Sequence, residues 1–145
     1  MHRFLLFLGC GLAALAAGHA HAGTLPDTIG RGSCAVSKQT DVAVTMRDGV
    51  VLRADVYTPA TQDKVPVILM RTQYGKAGAQ TDPSRFHSPD WFASHCYIVA
   101  VQDIRGQGKS GGVFYEYRND RDDGYDTVEW AARLPGSTGK VGMYG

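Results

Sequence analysis

Gly106-Gln107-Gly108-Lys109-Ser110-Gly111 spaces its glycines as G-x-G-x-x-G. After a strand and before a helix, that spacing brings backbone amides onto a pyrophosphate. Here an apolar strand does precede it, but Gly112 to Tyr117 reads as extended rather than helical, and the motif follows the fourth strand instead of the first. The same residues end in Gly-Lys-Ser like a phosphate-binding loop, yet the first glycine of that loop would fall at position 103, which is Asp103. A tight loop at the carboxyl end of a parallel strand, held by Asp103 and Arg105, accounts for the glycines better, and no cofactor is expected. The carboxylates Asp120, Asp122, Asp123, Asp126 and Glu129 do not fit a calcium loop: with Gly124 at its glycine position, Asn119 and Arg121 fall at ligand positions and Trp130 at the closing glutamate. A solvated helix start is the simpler reading. His87 and His95, eight apart and outside any H-E-x-x-H context, suggest loop or surface residues and no metal site.

Tyr74 is different. Arg71-Thr72-Gln73-Tyr74-Gly75-Lys76 directly follows the apolar run Val65–Met70. In an open parallel sheet, ligands bind in the crevice beyond the carboxyl ends of the strands. A phenol at that place can donate a hydrogen bond to a reacting oxygen, although tyrosine in general packs more often than it catalyses.

The elements that must position these residues are legible as periodicities. Val42, Val44 and Met46 alternate with smaller or polar residues, and Val51 to Tyr57 alternates again. Asp48-Gly49 between them is a hairpin signal. Val65–Met70 and Tyr97–Val101 are continuous apolar runs, as in strands buried on both faces. Pro89-Asp90-Trp91-Phe92 reads as the first turn of a helix. Asp120 to Leu134 predicts a second helix, acidic at its start, with Tyr125, Val128, Ala131 and Ala132 recurring at helical spacing and Pro135-Gly136 ending it. Lys140 to Gly145 is a last short strand running into a glycine. Hairpin, strand, helix, strand, helix, strand implies an α/β fold whose parallel strands are covered on both sides.

Composition bounds the class. Met1-His2-Arg3, the apolar stretch Phe4–Gly18 and the small-x-small site Ala20-His21-Ala22 make a signal peptide over residues 1–22, with cleavage after Ala22. The apolar part is shorter than the ~20 residues of a membrane span. Secretion or a periplasmic location is therefore expected, with no membrane association after cleavage. Removing residues 1–22 from 145 leaves 123, one small domain. Arg3 is the only one of the 15 Lys and Arg in the leader, so the remainder balances 14 basic against 14 acidic residues. Nothing in that balance suggests nucleic acid. Residues 23–40, rich in Gly, Ser and Thr, read as a leader arm before a domain over 41–145. Cys34 and Cys96 could pair in an exported protein, and a buried thiol at Cys96 fits as well.

Five segments in order, MRDGVVLRADVYTP, VPVILMRTQYGK, YIVAVQDIRGQGKSGG, DDGYDTVEW and GKVGMYG, resemble one family over residues 42–145. It is the group of α/β-hydrolases that holds cocaine esterase, X-prolyl dipeptidyl-peptidases, α-amino-acid ester hydrolases and cephalosporin acylases. One position departs from it: the family often has Gly before the aromatic that opens the fourth strand, and Cys96 stands there. The resemblance implies a serine hydrolase of small ester, amide or peptide substrates working through an acyl-enzyme. It implies that Gly145 opens a nucleophile elbow, G-x-S-x-G, with the serine at position 147 and the triad Asp and His later still. It also maps a side-chain oxyanion donor onto Tyr74. Residues 1–145 hold none of the triad, so the expectation is the N-terminal part of a catalytic domain, inert by itself. The competing class is a non-catalytic exported α/β domain that binds a ligand or partner.

Overall fold

The computed structural model describes residues 34–78 and 87–145. The expected signal peptide, with most of the expected leader arm, lies outside the described residues. Five strands and two helices follow one another as β1 (Val36–Thr45), β2 (Val51–Pro59), β3 (Val65–Thr72), α1 (Pro89–Ser94), β4 (Ile98–Asp103), α2 (Asp120–Ala132) and β5 (Ser137–Met143). They form one sheet in the order β1-β2-β4-β3-β5. The β1–β2 and β2–β4 pairs are antiparallel, whereas β4, β3 and β5 run parallel.

The hairpin turns where Asp48-Gly49 predicts. Gly49 has φ +84, its N–H donates to the Met46 carbonyl, and the Asp48 carboxylate accepts from the Val50 N–H. Strand β1, however, starts at Val36, inside the stretch read as a leader arm. Residues 36–39 pair with 59–56, then the register shifts before Val42. Asp41 sits in that bulge with φ +57. Residues 37–40, before the bulge, are all exposed at this edge of the sheet and so show no alternation of apolar and polar positions, which is why the segment reads as unstructured.

All six residues of β4 are buried, as a strand flanked on both edges and both faces must be. Val99 and Val101 face α1 and pack with Tyr57, Met70 and Ala93. Ile98 faces the other way and joins Val56, Val67 and Ala131 beneath α2. Each such buried aliphatic side chain contributes roughly 1.5–3 kcal/mol relative to exposure.

Helix α1 has Pro89 in its first turn, as its sequence suggests, and the structure adds a cap, the Ser88 hydroxyl accepting from the Trp91 N–H. It ends in a Schellman arrangement: the Cys96 N–H reaches the Ala93 carbonyl and the Tyr97 N–H reaches Phe92. The left-handed residue of that motif is usually glycine. Here it is Cys96, with φ +67, bonded to Cys34 in a disulfide whose Cα atoms are 5.5 Å apart. The disulfide settles the two readings of these cysteines, and the Gly-to-Cys departure keeps the glycine's backbone geometry.

In α2 the buried face is Asp123, Thr127 and Ala131; of the expected stripe only Ala131 is fully buried, Val128 and Ala132 are half-buried, and Tyr125 is exposed. The helix begins over the polar end of the sheet. Its first two inward positions therefore meet Arg105 and Gln102, and only its last turn meets aliphatic side chains.

Candidate active site

The parallel strands end together. Thr72, Asp103 and Met143 close β3, β4 and β5 at one edge of the sheet, with β3 in the middle. Leu69 pairs with Met143, and the Tyr144 N–H still donates to the Leu69 carbonyl at 3.1 Å. Gly145, with φ +128, lies against Met70. Tyr74 stands two residues past the end of β3. The structure thus puts the residue singled out for hydrogen-bond donation and the glycine expected to open an elbow beyond neighbouring strands at the same edge.

The Tyr74 side chain is 80 % exposed, while its backbone is tied: its N–H donates to the Thr72 hydroxyl at 3.1 Å. Tyr117 has φ +63 and is also exposed. Its hydrogen bond with the Glu116 carboxylate lifts the phenol above its ordinary value, and the nearby Tyr74 adds to the effect. Tyr144 is pushed up to about 12 by burial, with Tyr57 contributing.

Behind this rim is a network that sequence reasoning missed. Lys76 is buried, and its ammonium lies 2.6 Å from Asp41, 3.4 Å from Asp55 and 3.6 Å from Asp103. Its backbone N–H also donates to Asp103 Oδ1 at 2.5 Å. Burial works against the Lys76 charge, but the three carboxylates outweigh it and hold the ammonium above its ordinary value. Lys109 and Lys76 together hold the Asp41 carboxyl down to about 2. Lys38 completes the set at 3.2 Å from Asp55. A signal for part of it was present: Asp55 lies within an alternating strand and Asp103 ends an apolar one, and carboxylates are rarely buried unless paired. Their partner could not be read from spacing.

Asp103 and Arg105 do hold the loop after β4. Asp103 accepts from the Lys109 N–H at 3.0 Å, and the Ser110 hydroxyl donates to the Asp103 carbonyl at 2.6 Å. Gly108, with φ +51, lies so close that a Cβ there would collide with the Asp103 carboxylate. An amide that a dinucleotide motif would turn toward a phosphate is thus turned toward the protein's own carboxylate. Residues 112–117, expected to be extended, form no strand: Gly112 is a bend, residues 113–115 belong to no regular element, residues 116 and 117 enter a turn, and α2 begins only at Asp120. Arg105 donates to Asp123 through Nε at 2.9 Å and Nη2 at 2.6 Å, and pairs with Asp48 at 2.8 Å. Asp123 is therefore a buried ion-pair partner, not part of a solvated helix start.

His87 is exposed and stacks on Trp91 with ring centres 3.8 Å apart. His95 is half-buried at the end of α1, its Nδ1 2.7 Å from the Trp91 carbonyl. Neither histidine joins Tyr74. Among the described residues, no group of three or more His, Cys, Asp or Glu is placed to hold a metal ion.

A sheet of this order, with helices on both faces and three parallel strands ending at one edge, is the N-terminal part of an α/β-hydrolase. The chain belongs to the X-Pro dipeptidyl-peptidase (S15 family), whose model matches residues 48–145. It is 37% identical over 111 residues to cocaine esterase of Rhodococcus sp. (strain MB1 Bresler), covering 75% of this chain and 19% of that protein. The chain thus spans about a fifth of the length of this curated relative. Among solved structures it is similar to an α-amino acid ester hydrolase, with TM-score 0.63 and 28% identity over 86% of this chain and 24% of that one. A CocE/NonD family hydrolase from Staphylococcus aureus gives TM-score 0.65 and 28% identity, covering 74% and 23% of the two chains. These relatives are esterase- and peptidase-type hydrolases.

Proposed function

We propose that the complete protein is an exported serine hydrolase cleaving small ester or amide substrates through an acyl-enzyme. The observation that carries it is the shared edge: Tyr74 follows β3 and Gly145 follows the adjacent parallel strand β5. A serine at position 147 would stand on the turn that Gly145 opens, exposed at the end of the sheet. As that serine attacks an acyl carbon, negative charge grows on the carbonyl oxygen, and a donor already in place stabilises it without reorienting. Tyr74 supplies that donor from its hydroxyl. The amide after the serine supplies the second, and the triad Asp and His come from later in the chain.

A polypeptide limited to residues 1–145 then hydrolyses nothing, because it holds the donor without the nucleophile. Export is supported by the Cys34–Cys96 disulfide, since such bonds persist in oxidising compartments. In the test, full-length protein is treated with a fluorophosphonate probe and with p-nitrophenyl acetate. Stoichiometric labelling at position 147 and a burst of nitrophenol are expected, while residues 1–145 alone give neither. Labelling elsewhere, or hydrolysis that persists after the serine at position 147 is replaced by alanine, overturns the proposal. N-terminal sequencing of the exported protein is expected to start at Gly23.

A further inference from the structure

We infer that Lys76 is a positioning residue for hydrolysis, holding Tyr74 in place from behind, an inference that rests on the oxyanion role proposed for that tyrosine. Tyr74 lies between two fixed points. Before it, the Thr72 hydroxyl accepts the Tyr74 N–H and the Thr72 carbonyl accepts from Ile104. After it, Gly75 at φ +83 turns the chain sharply, and Lys76 goes inward rather than out. Both ends of Lys76 are then fastened. Its N–H is bound by Asp103 on β4, and its ammonium reaches Asp41 on β1, Asp55 on β2 and Asp103. Three strands thus converge on the residue two positions from Tyr74. The tyrosine side chain itself stays in the open at the sheet edge, with a fixed backbone and a free hydroxyl.

Such a network is a poor device for stability alone. Burying ion pairs carries a desolvation cost that their attraction often only balances, and apolar residues can do as well. It is a good device for geometry, because its carboxylates come from rigid strands rather than loops. An oxyanion donor needs that: sites must be held to within about 0.5 Å, and a misplacement of about 1 Å can cost on the order of 10²-fold in rate. Asp103 also binds the Lys109 N–H, so the loops after β3 and β4 are fixed by one carboxylate.

A double-mutant cycle in the full-length hydrolase tests this. Lys76→Met removes the charge and keeps the stem. It is expected to lower kcat on the order of 10²-fold, with KM little changed. In the Tyr74→Phe background the same substitution is expected to change kcat by less than about threefold, because the donor it positions is already gone. Additive losses in the two backgrounds, or a normal kcat for Lys76→Met, overturn the inference while leaving the oxyanion reading intact. A normal kcat for Tyr74→Phe alone overturns both, so the two failures are distinguishable. If Lys76→Met does not fold, Asp41→Asn carries the same cycle. Asparagine tolerates the left-handed backbone at position 41, and the substitution takes away the ion pairs of Asp41 with Lys76 and with Lys109 while leaving buried Asp55 and Asp103 opposite Lys76. The expected loss is then roughly three- to tenfold, again absent in the Tyr74→Phe background, and additivity again overturns the inference.

Discussion

Breaking the Cys34–Cys96 bond should expose two separate energies, and the structure indicates the size of each. The first is the cross-link. The cysteines are 62 residues apart, and closing a loop of that length restricts the unfolded chain by roughly 4 kcal/mol in the chain-entropy treatment. Cys34→Ser in the full-length protein is therefore expected to destabilise the domain by about 2–5 kcal/mol. The second is the backbone at position 96. Cys96 holds φ +67 at the end of α1, a conformation costing a non-glycine residue roughly 1–2 kcal/mol. In the Cys34→Ser background, Cys96→Gly removes that strain but loosens the unfolded chain by ~0.4–1 kcal/mol. It is thus expected to be more stable than Cys96→Ala in the same background by roughly 1 kcal/mol. Guanidinium denaturation read by circular dichroism, with exchange of the Cys96 and Tyr97 amides as a local probe, measures both. If Cys34→Ser costs less than about 1 kcal/mol, or glycine is no better than alanine at position 96, the reasoning is wrong about the cross-link or the cap respectively.

Tyr74→Phe in the full-length enzyme is expected to lower kcat by ~10²–10³ with KM nearly constant, since the lost hydrogen bond forms mainly in the transition state. A kcat within about threefold of wild type at an unchanged Tm would make Tyr74 a packing residue. Asp41 is held down to about 2 from an ordinary 3.8, so its contribution to stability is complete above the unfolded value, declines as pH falls below 3.8 and is gone once pH has fallen through about 2. Carboxyl-carbon NMR should show Asp41 ionised at pH values where free aspartate is protonated, and a midpoint near 3.8 would contradict the network. Gly108→Ala and Gly49→Ala both force alanine into positive φ, a strain of roughly 1–3 kcal/mol. Only the Cβ at position 108 meets a neighbour, the Asp103 carboxylate, while nothing lies within 4 Å of one at position 49. The Gly108 variant should therefore have the lower denaturation midpoint, and equal midpoints would mean that the loop is free to move away.

The amino-acid sequence by itself determined what depends on near neighbours along the chain. The Asp48-Gly49 hairpin, the apolar runs of β3 and β4, the Pro89 start of α1 and the approach to Gly145 are all set by periodicity and turn chemistry within a few residues. So is the place of Tyr74, because a residue just past a buried parallel strand must emerge at the carboxyl edge. Tertiary structure decided what depends on which strands lie side by side. β4 inserts between β2 and β3, bringing Asp103 beside Asp55 and both within reach of Lys76. The bulge at Asp41 turns a segment without alternation into the first half of β1 and aims its carboxylate at the same ammonium. Asp123 reads as one more solvent-facing acid until α2 lies across the polar end of the sheet, where it meets Arg105. The two cysteines find each other because β1 resumes its pairing with β2 on the far side of the bulge and brings Cys34 to the end of α1, where its N–H donates to the Ser94 carbonyl. Charge attraction and cross-linking act through space, over a few ångströms. The order of strands in a sheet, not separation along the chain, decides which groups come that close.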